Sequence, residues 1–156
     1  MTHYIEYGDI FSIEGVTSYA HGCNCQGRMG RGIAVQMKQK FPKMYKEYNH
    51  LCISGKFCPG DIFAYNHGNG YVFNLATQEH YNIPGKLAKV KHINSSMRKM
   101  MKFAEENNIK SIALPKIGAG LGGLNWNDVK AVIEEIALEY LNIDLYVVEN
   151  YKPINR

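Results

Sequence analysis

Hydrophobic and polar positions along the chain switch repeatedly between two periods. Residues 4–7 alternate, as a half-buried strand does. Residues 17–25 predict a second strand, with Val16, Tyr19, Ala20 and Cys23 as its apolar members. From 33 to 41 the apolar positions recur at helical spacing. Pro42 stops that helix and can open another, which runs from about 43 to 53 and ends at Ser54-Gly55-Lys56. Residues 61–65 and 71–77 read as two strands joined by Asn66-His67-Gly68-Asn69-Gly70, a connector of hairpin type. The longest helical pattern spans 87–107, with Val90, Ile93, Met97, Met101 and Ala104 on one face, where the methionines read as core filler. A short strand at 111–114, a helix at 129–141 and a buried strand at 145–148 complete the chain. The alternation predicts an α/β fold: a three-layer α/β/α arrangement around a mixed, largely parallel sheet.

Two of the strand–helix junctions are glycine loops. After the strand at 111–114 come Gly118, Gly120, Gly122 and Gly123, and a helix opens near Asn127. Strand, glycine loop and helix in that order can cradle a phosphate. Bare amides approach the anion closely, and the helix N-terminus adds partial positive charge. Glycines also serve plain turns, so one such loop is weak evidence. The second junction runs His21-Gly22-Cys23-Asn24-Cys25-Gln26-Gly27, then Met29-Gly30-Arg31-Gly32, then a helix from Ile33. Ligands of open α/β sheets sit at the carboxyl ends of strands. Two glycine loops at one sheet edge can hold two ends of an extended anionic ligand, which points to a nucleotide. Asp9, at the end of the first strand, fits two roles: a cap on a short turn, or an acceptor for a base amino group. The polar run 77–86 follows a strand directly and is a candidate site wall.

Composition narrows the class. The 156 residues suit a single domain over 1–156, and 46% hydrophobic with 21% charged residues is ordinary for a soluble protein. The net charge of +4 suits an anionic ligand or a loose nucleic-acid contact, and most of the lysines also read simply as a solvated face. Lys38, Lys40, Lys43 and Lys46 form the densest group, and no base-reading motif accompanies them. Cys23, Cys25, Cys52 and Cys58 lack CxxC repeats, so free thiols are expected and a metal site is not. The N-terminus has no signal-peptide pattern and no apolar run approaches a membrane span, which predicts a cytoplasmic protein away from membranes.

Taken together, three pieces resemble the macrodomain family of ADP-ribose-binding modules: Gly8-Asp9-Ile10; Asn24 with Met29-Gly30-Arg31-Gly32-Ile33-Ala34; and Pro115-Lys116-Ile117-Gly118-Ala119-Gly120-Leu121 with Trp126. Within it, Arg28 to Ala34 followed by Phe41-Pro42 is similar to a branch of small macrodomains. That branch holds terminal ADP-ribose glycohydrolases, DNA-deribosylating antitoxins and ADP-ribose-1''-phosphate phosphatases. The resemblance implies that Asp9 accepts from the adenine amino group beside the Ile10 amide, and that Asn24 holds the distal ribose. It implies that Met29, Gly30, Arg31, Gly32 and Ile33 pass under the distal ribose and diphosphate. Ile117, Gly118, Ala119, Gly120 and Leu121 would offer amides to the diphosphate, Thr77 and Gln78 would border the ligand, and Tyr151 would stack on adenine. Amides suffice for this because charge-assisted bonds at a helix N-terminus are strong.

The bond at stake in such a ligand is at C1'' of the distal ribose. Glycohydrolase relatives place a catalytic lysine just after a strand-end threonine, and an acid in the second glycine loop. Here Thr77 is followed by Gln78, and the acid's position is Gly122. A lysine-adduct mechanism is therefore not available. His21-Gly22-Cys23-Asn24-Cys25 is similar to a run in the phosphatases, which makes His21 a candidate general acid or base; a histidine bonded inside the sheet is the bland reading. Glu79 and His80 are secondary candidates beside Asn24. The resulting expectation is a monomeric hydrolase acting on ADP-ribose-1''-phosphate. The alternatives are removal of ADP-ribose from protein or nucleic acid, or ADP-ribose binding without turnover. No cofactor is expected.

Overall fold

The computed structural model describes residues 1–154. Among them six strands alternate with four helices: β1 (Thr2–Gly8), β2 (Tyr19–Cys23), α1 (Ile33–Lys40), α2 (Pro42–Ile53), β3 (Ile62–Asn66), β4 (Tyr71–Ala76), α3 (Val90–Glu106), β5 (Ser111–Pro115), α4 (Trp126–Ala137) and β6 (Asp144–Tyr151). The sheet order is β1-β6-β5-β2-β4-β3. Every neighbouring pair is parallel except β3 and β4, the hairpin, where Asn66 lies opposite Tyr71. The expected mixed, largely parallel α/β architecture is what the chain adopts.

Side chains alternate between the two faces of the sheet, and each face has its own core. On one face Phe73, Leu75, Ile112, Leu114, Leu145 and Val147 pack against α3 and α4, with Met97 and Met101 buried there. On the other, Tyr19, Cys23, Val72, Ala76 and Val148 pack against Met37 of α1 and Met44 and Tyr48 of α2.

Several boundaries differ from the sequence pattern. The long helix starts at Val90, three residues late, because Lys89 is extended and its N–H donates to Thr77 O at 3.2 Å. The last helix starts at Trp126, where the Asn125 side chain accepts from Asn127 N at 2.8 Å, and stops at Ala137. Leu138 and Leu141 beyond it are 73% and 74% exposed, so no burial holds a further turn. Tyr151 is the last residue of β6 rather than part of the segment after it.

The topology positions a crevice. The chain crosses from β4 over β2 to β5, so the connections around β2 leave in opposite directions, the arrangement that opens a binding cleft in open sheets. The ladder between β2 and β5 is confined to Tyr19 opposite Ala113, so the carboxyl ends of the two strands are not bonded to each other.

Candidate functional site

The loops leaving β2, β4 and β5 meet at the sheet's carboxyl edge around a cavity of about 310 Å³. Gly22, Cys23 and Asn24 form its inner end, Arg28 to Arg31 and Ala34 one side, Gln78 and Tyr81 another, and Leu121 the third. The two glycine loops approach each other here: a Cβ on Gly32 would lie 4.0 Å from Leu121 Cδ1.

Asn24 knots the first loop. Its Oδ1 accepts from Gln26 N at 2.9 Å and from the Tyr48 hydroxyl at 3.0 Å, and its Nδ2 donates to Arg28 O at 2.8 Å. The Tyr45 hydroxyl adds a bond to Gly27 O at 2.9 Å. The loop therefore delivers Arg28 and Arg31 to the cavity from a fixed base. The Arg28 guanidinium lies 5.4 Å from the centroid of the Tyr81 ring, and that ring stacks on His80 with centroids 4.3 Å apart.

The second glycine loop is shaped by close packing. Gly118 has φ +73°, and a Cβ there would meet Ile93 Cδ1 at 2.6 Å, so no larger residue fits without movement. A Cβ on Gly122 would lie 2.8 Å from Ala88 Cβ and 2.7 Å from Gly118 O, so this backbone leaves no room for an acid at that position. Bonds within the loop take up the amides of Ile117, Ala119, Gly123 and Leu124. Those of Gly118, Gly120, Leu121 and Gly122 donate to no backbone carbonyl among the described residues. Gly122 is buried, and the amides of Gly118, Gly120 and Leu121 are available to an anion. Ile117 itself is buried, and the Trp126 indole donates to Glu149 at 3.1 Å, which ties the start of α4 to β6.

Gln78 lines the cavity, and its Nε2 donates to His80 O at 2.7 Å. Thr77 is buried behind it, and its hydroxyl has no hydrogen-bond partner among the described residues. Glu79 faces away, 3.5 Å from Lys86 Nζ, and His80 Nδ1 accepts from Asn82 N at 3.2 Å. Both stand beside the cavity rather than on its wall.

His21 lies outside the cavity. It is fully buried between the sheet and the α1–α2 layer, with Nε2 2.7 Å from Asn74 Oδ1. Asn74 Nδ2 donates to Phe63 O at 3.1 Å, which leaves Oδ1 as acceptor and puts the proton on His21 Nε2. Burial pushes the imidazole down to about 4, partly opposed by the bond to Asn74. Cys23 is the cavity's one thiol, and burial holds its pKa far above the usual range. Among the described residues the cavity lining thus supplies two guanidinium groups, two amides, the Cys23 thiol, the Tyr81 hydroxyl and bare backbone, with no carboxylate, lysine or histidine.

A second groove of about 330 Å³ lies at the end of β1 and β6, bordered by Asp9, Phe11, Lys40 and Tyr151. Asp9 Oδ1 accepts from Phe11 N at 2.9 Å, the turn geometry an aspartate at this position forms, and Oδ2 accepts from Ile154 N at 3.1 Å. Ile10 beside it is buried in the core, and the Tyr151 ring packs edge-on to Phe11. Sequence reasoning left out Arg28 and Tyr81 as site residues. The signal for Tyr81 was its place in the polar run after β4, and for Arg28 its adjacency to Met29-Gly30-Arg31.

This geometry has counterparts. The Macro domain family model matches residues 20–133. The DNA ADP-ribosyl glycohydrolase of Thermus aquaticus is 35% identical over 144 residues, covering 89% of this chain and 38% of that protein. This chain therefore spans less than two fifths of that relative's length. An ADP-ribose 1''-phosphate phosphatase of Lodderomyces elongisporus is 26% identical over 157 residues, covering 91% of this chain and 96% of the other. The macrodomain of Mycobacterium tuberculosis DarG superposes with a TM-score of 0.86 at 28% identity, covering 99% of each chain. A glycine-lined crevice at the carboxyl edge of a six-stranded mixed sheet, together with the match over 20–133, establishes that this chain belongs to the Macro domain family.

Proposed function

We propose that this chain binds ADP-ribose along the carboxyl edge of its sheet and hydrolyses a substituent at C1'' of the distal ribose, with phosphate as the substituent the cavity fits best. The observation that carries the reading is the presence of both Arg28 and Arg31 on the wall of a cavity with no acidic side chain among the described residues that line it. Adenine would sit at Asp9, the diphosphate across the free amides of Gly118, Gly120 and Leu121, and the distal ribose at Asn24. An anionic group at C1'' then meets the two guanidinium groups, which bind phosphate in bidentate fashion and stabilise charge as it develops. Water attacks phosphorus, the bond from phosphorus to the C1'' oxygen breaks, and a proton from the water ends on that oxygen. His80 and Glu79, in the 77–86 loop beside the cavity, are groups able to move that proton. Gln78 can donate a hydrogen bond but cannot attack as an amine.

A second reading is removal of ADP-ribose from DNA. It is favoured by the 35% identity to a DNA ADP-ribosyl glycohydrolase, of which this chain spans 38%. Chromatography of ADP-ribose-1''-phosphate incubated with the protein separates the two, with an ADP-ribosylated oligonucleotide run beside it. Release of phosphate that collapses in Arg31→Ala supports the first reading. Release of ADP-ribose from the oligonucleotide alone supports the second. Tight ADP-ribose binding with neither product leaves a non-catalytic reader.

A further inference from the structure

We propose that the groove between α1, α2 and the Met29–Gly30 turn binds the phosphate backbone of a single-stranded nucleic acid. Three observations carry this. First, the groove, of about 560 Å³, shares Met29 and Gly30 with the cavity, so a strand lying in it runs beside the cavity. Second, charge is concentrated here. The nineteen residues 28–46 hold six Lys and Arg and no Asp or Glu, against a net charge of +4 for the whole chain, so the rest of the chain is net negative. Among the described residues none of Lys38, Lys40, Lys43 and Lys46 forms an ion pair, whereas Lys86, Arg98 and Lys99 elsewhere do. Third, two of these cations are held against aromatic rings, Lys40 over Phe11 at 4.9 Å and, in this groove, Lys38. Lys38 Nζ lies 4.2 Å from the centroid of the Tyr45 ring, and the Tyr45 hydroxyl is bonded to Gly27 O at 2.9 Å. A lysine is ordinarily a flexible point charge, and this contact reduces the freedom lost when it meets a phosphate.

Lys38 and Lys46 line the groove, and Val35, Pro42 and Tyr45 give it apolar surface. A basic groove with apolar and aromatic surface is how single strands are tracked, the cations following phosphates and the apolar surface meeting sugars and bases. Binding to this groove is independent of any reaction at C1''. Only its use, to deliver a modified strand to the cavity, rests on the second reading above.

The test is fluorescence anisotropy of a labelled oligothymidine over a salt series, with wild type, the double variant Lys38→Gln/Lys46→Gln, and Lys102→Gln/Lys110→Gln as a charge-matched control from exposed positions in and just after α3. We expect the groove variant to bind at least about tenfold more weakly at low salt. Its salt slope should fall by about 1.4, as two phosphate contacts of about 0.7 each are lost on a single strand. The control should bind as wild type does, and ADP-ribose affinity by calorimetry should be the same in all three. Equal weakening in the control means bulk charge alone and overturns the proposal, as does full binding by the groove variant. Competition by polyglutamate or duplex DNA as effective as by the oligonucleotide overturns the assignment to a single strand. If ADP-ribose binds none of the proteins, the proposed function fails, while the anisotropy result still decides the groove, with thermal unfolding reporting the fold.

Discussion

His21 Nε2 and Asn74 Oδ1 meet at 2.7 Å inside the sheet, on neighbouring strands and with both residues fully buried. The pair joins β2 to β4 just below the strand ends that carry Asn24 and Thr77. Its contribution is therefore to the platform of the site. His21→Ala leaves a cavity and an Asn74 acceptor without its donor, which together cost about 2–4 kcal/mol of stability. Urea unfolding at pH 7 measures this.

The same histidine makes stability pH-dependent. Its pKa is pushed by burial to about 4 in the folded protein against an ordinary 6.5, so protons bind the unfolded chain first. Stability is fully present above pH 6.5, falls as the pH drops below it, and stops falling from this source near pH 4. The contribution lost across that window is roughly 3 kcal/mol. Urea midpoints between pH 7 and pH 4 should decline in the wild type, and the decline should flatten in His21→Ala.

Asp9 is held by the main-chain amides of Phe11 and Ile154 at the edge of the second groove. If it receives the adenine amino group, Asp9→Ala removes a hydrogen bond to a charged acceptor, worth about 1.5–3 kcal/mol, or roughly ten- to a hundredfold in ADP-ribose affinity. Calorimetry giving an unchanged affinity would mean that adenine binds elsewhere.

Gly118 combines a positive φ with contact against Ile93. Gly118→Ala should lower stability by about 1–3 kcal/mol through strain and overpacking, and weaken ADP-ribose binding because the loop's amides shift. A variant as stable as wild type with unchanged affinity would remove this loop from the ligand's path.

Gln78 lies on the cavity wall, where the proposed binding mode brings C1''. Gln78→Lys should condense with the open-chain form of ADP-ribose at C1'', losing water to give an imine that cyanoborohydride reduces to a stable adduct. Mass spectrometry of the intact protein should detect the adduct in the variant and not in the wild type. An unmodified variant that still binds ADP-ribose would place C1'' away from this wall.

Periodicity alone determined most of the elements, because whether a residue faces a sheet or solvent recurs along the chain at a fixed interval. The two glycine loops, the Asp9 turn and the absence of an amine at Gln78 were likewise legible, since each depends on the residue type at one position. The tertiary structure decided what depends on a distant partner. His21 became part of the core because Asn74, 53 residues away, lies opposite it across a parallel ladder. Tyr81 became a cavity wall because the loop after β4 folds back toward Arg28. Gly122 excludes an acid because Ala88, at the approach to α3, packs against it. Residue type and local spacing report which face and which turn a residue takes. Which group it meets there is settled only when strands far apart in the chain are brought side by side.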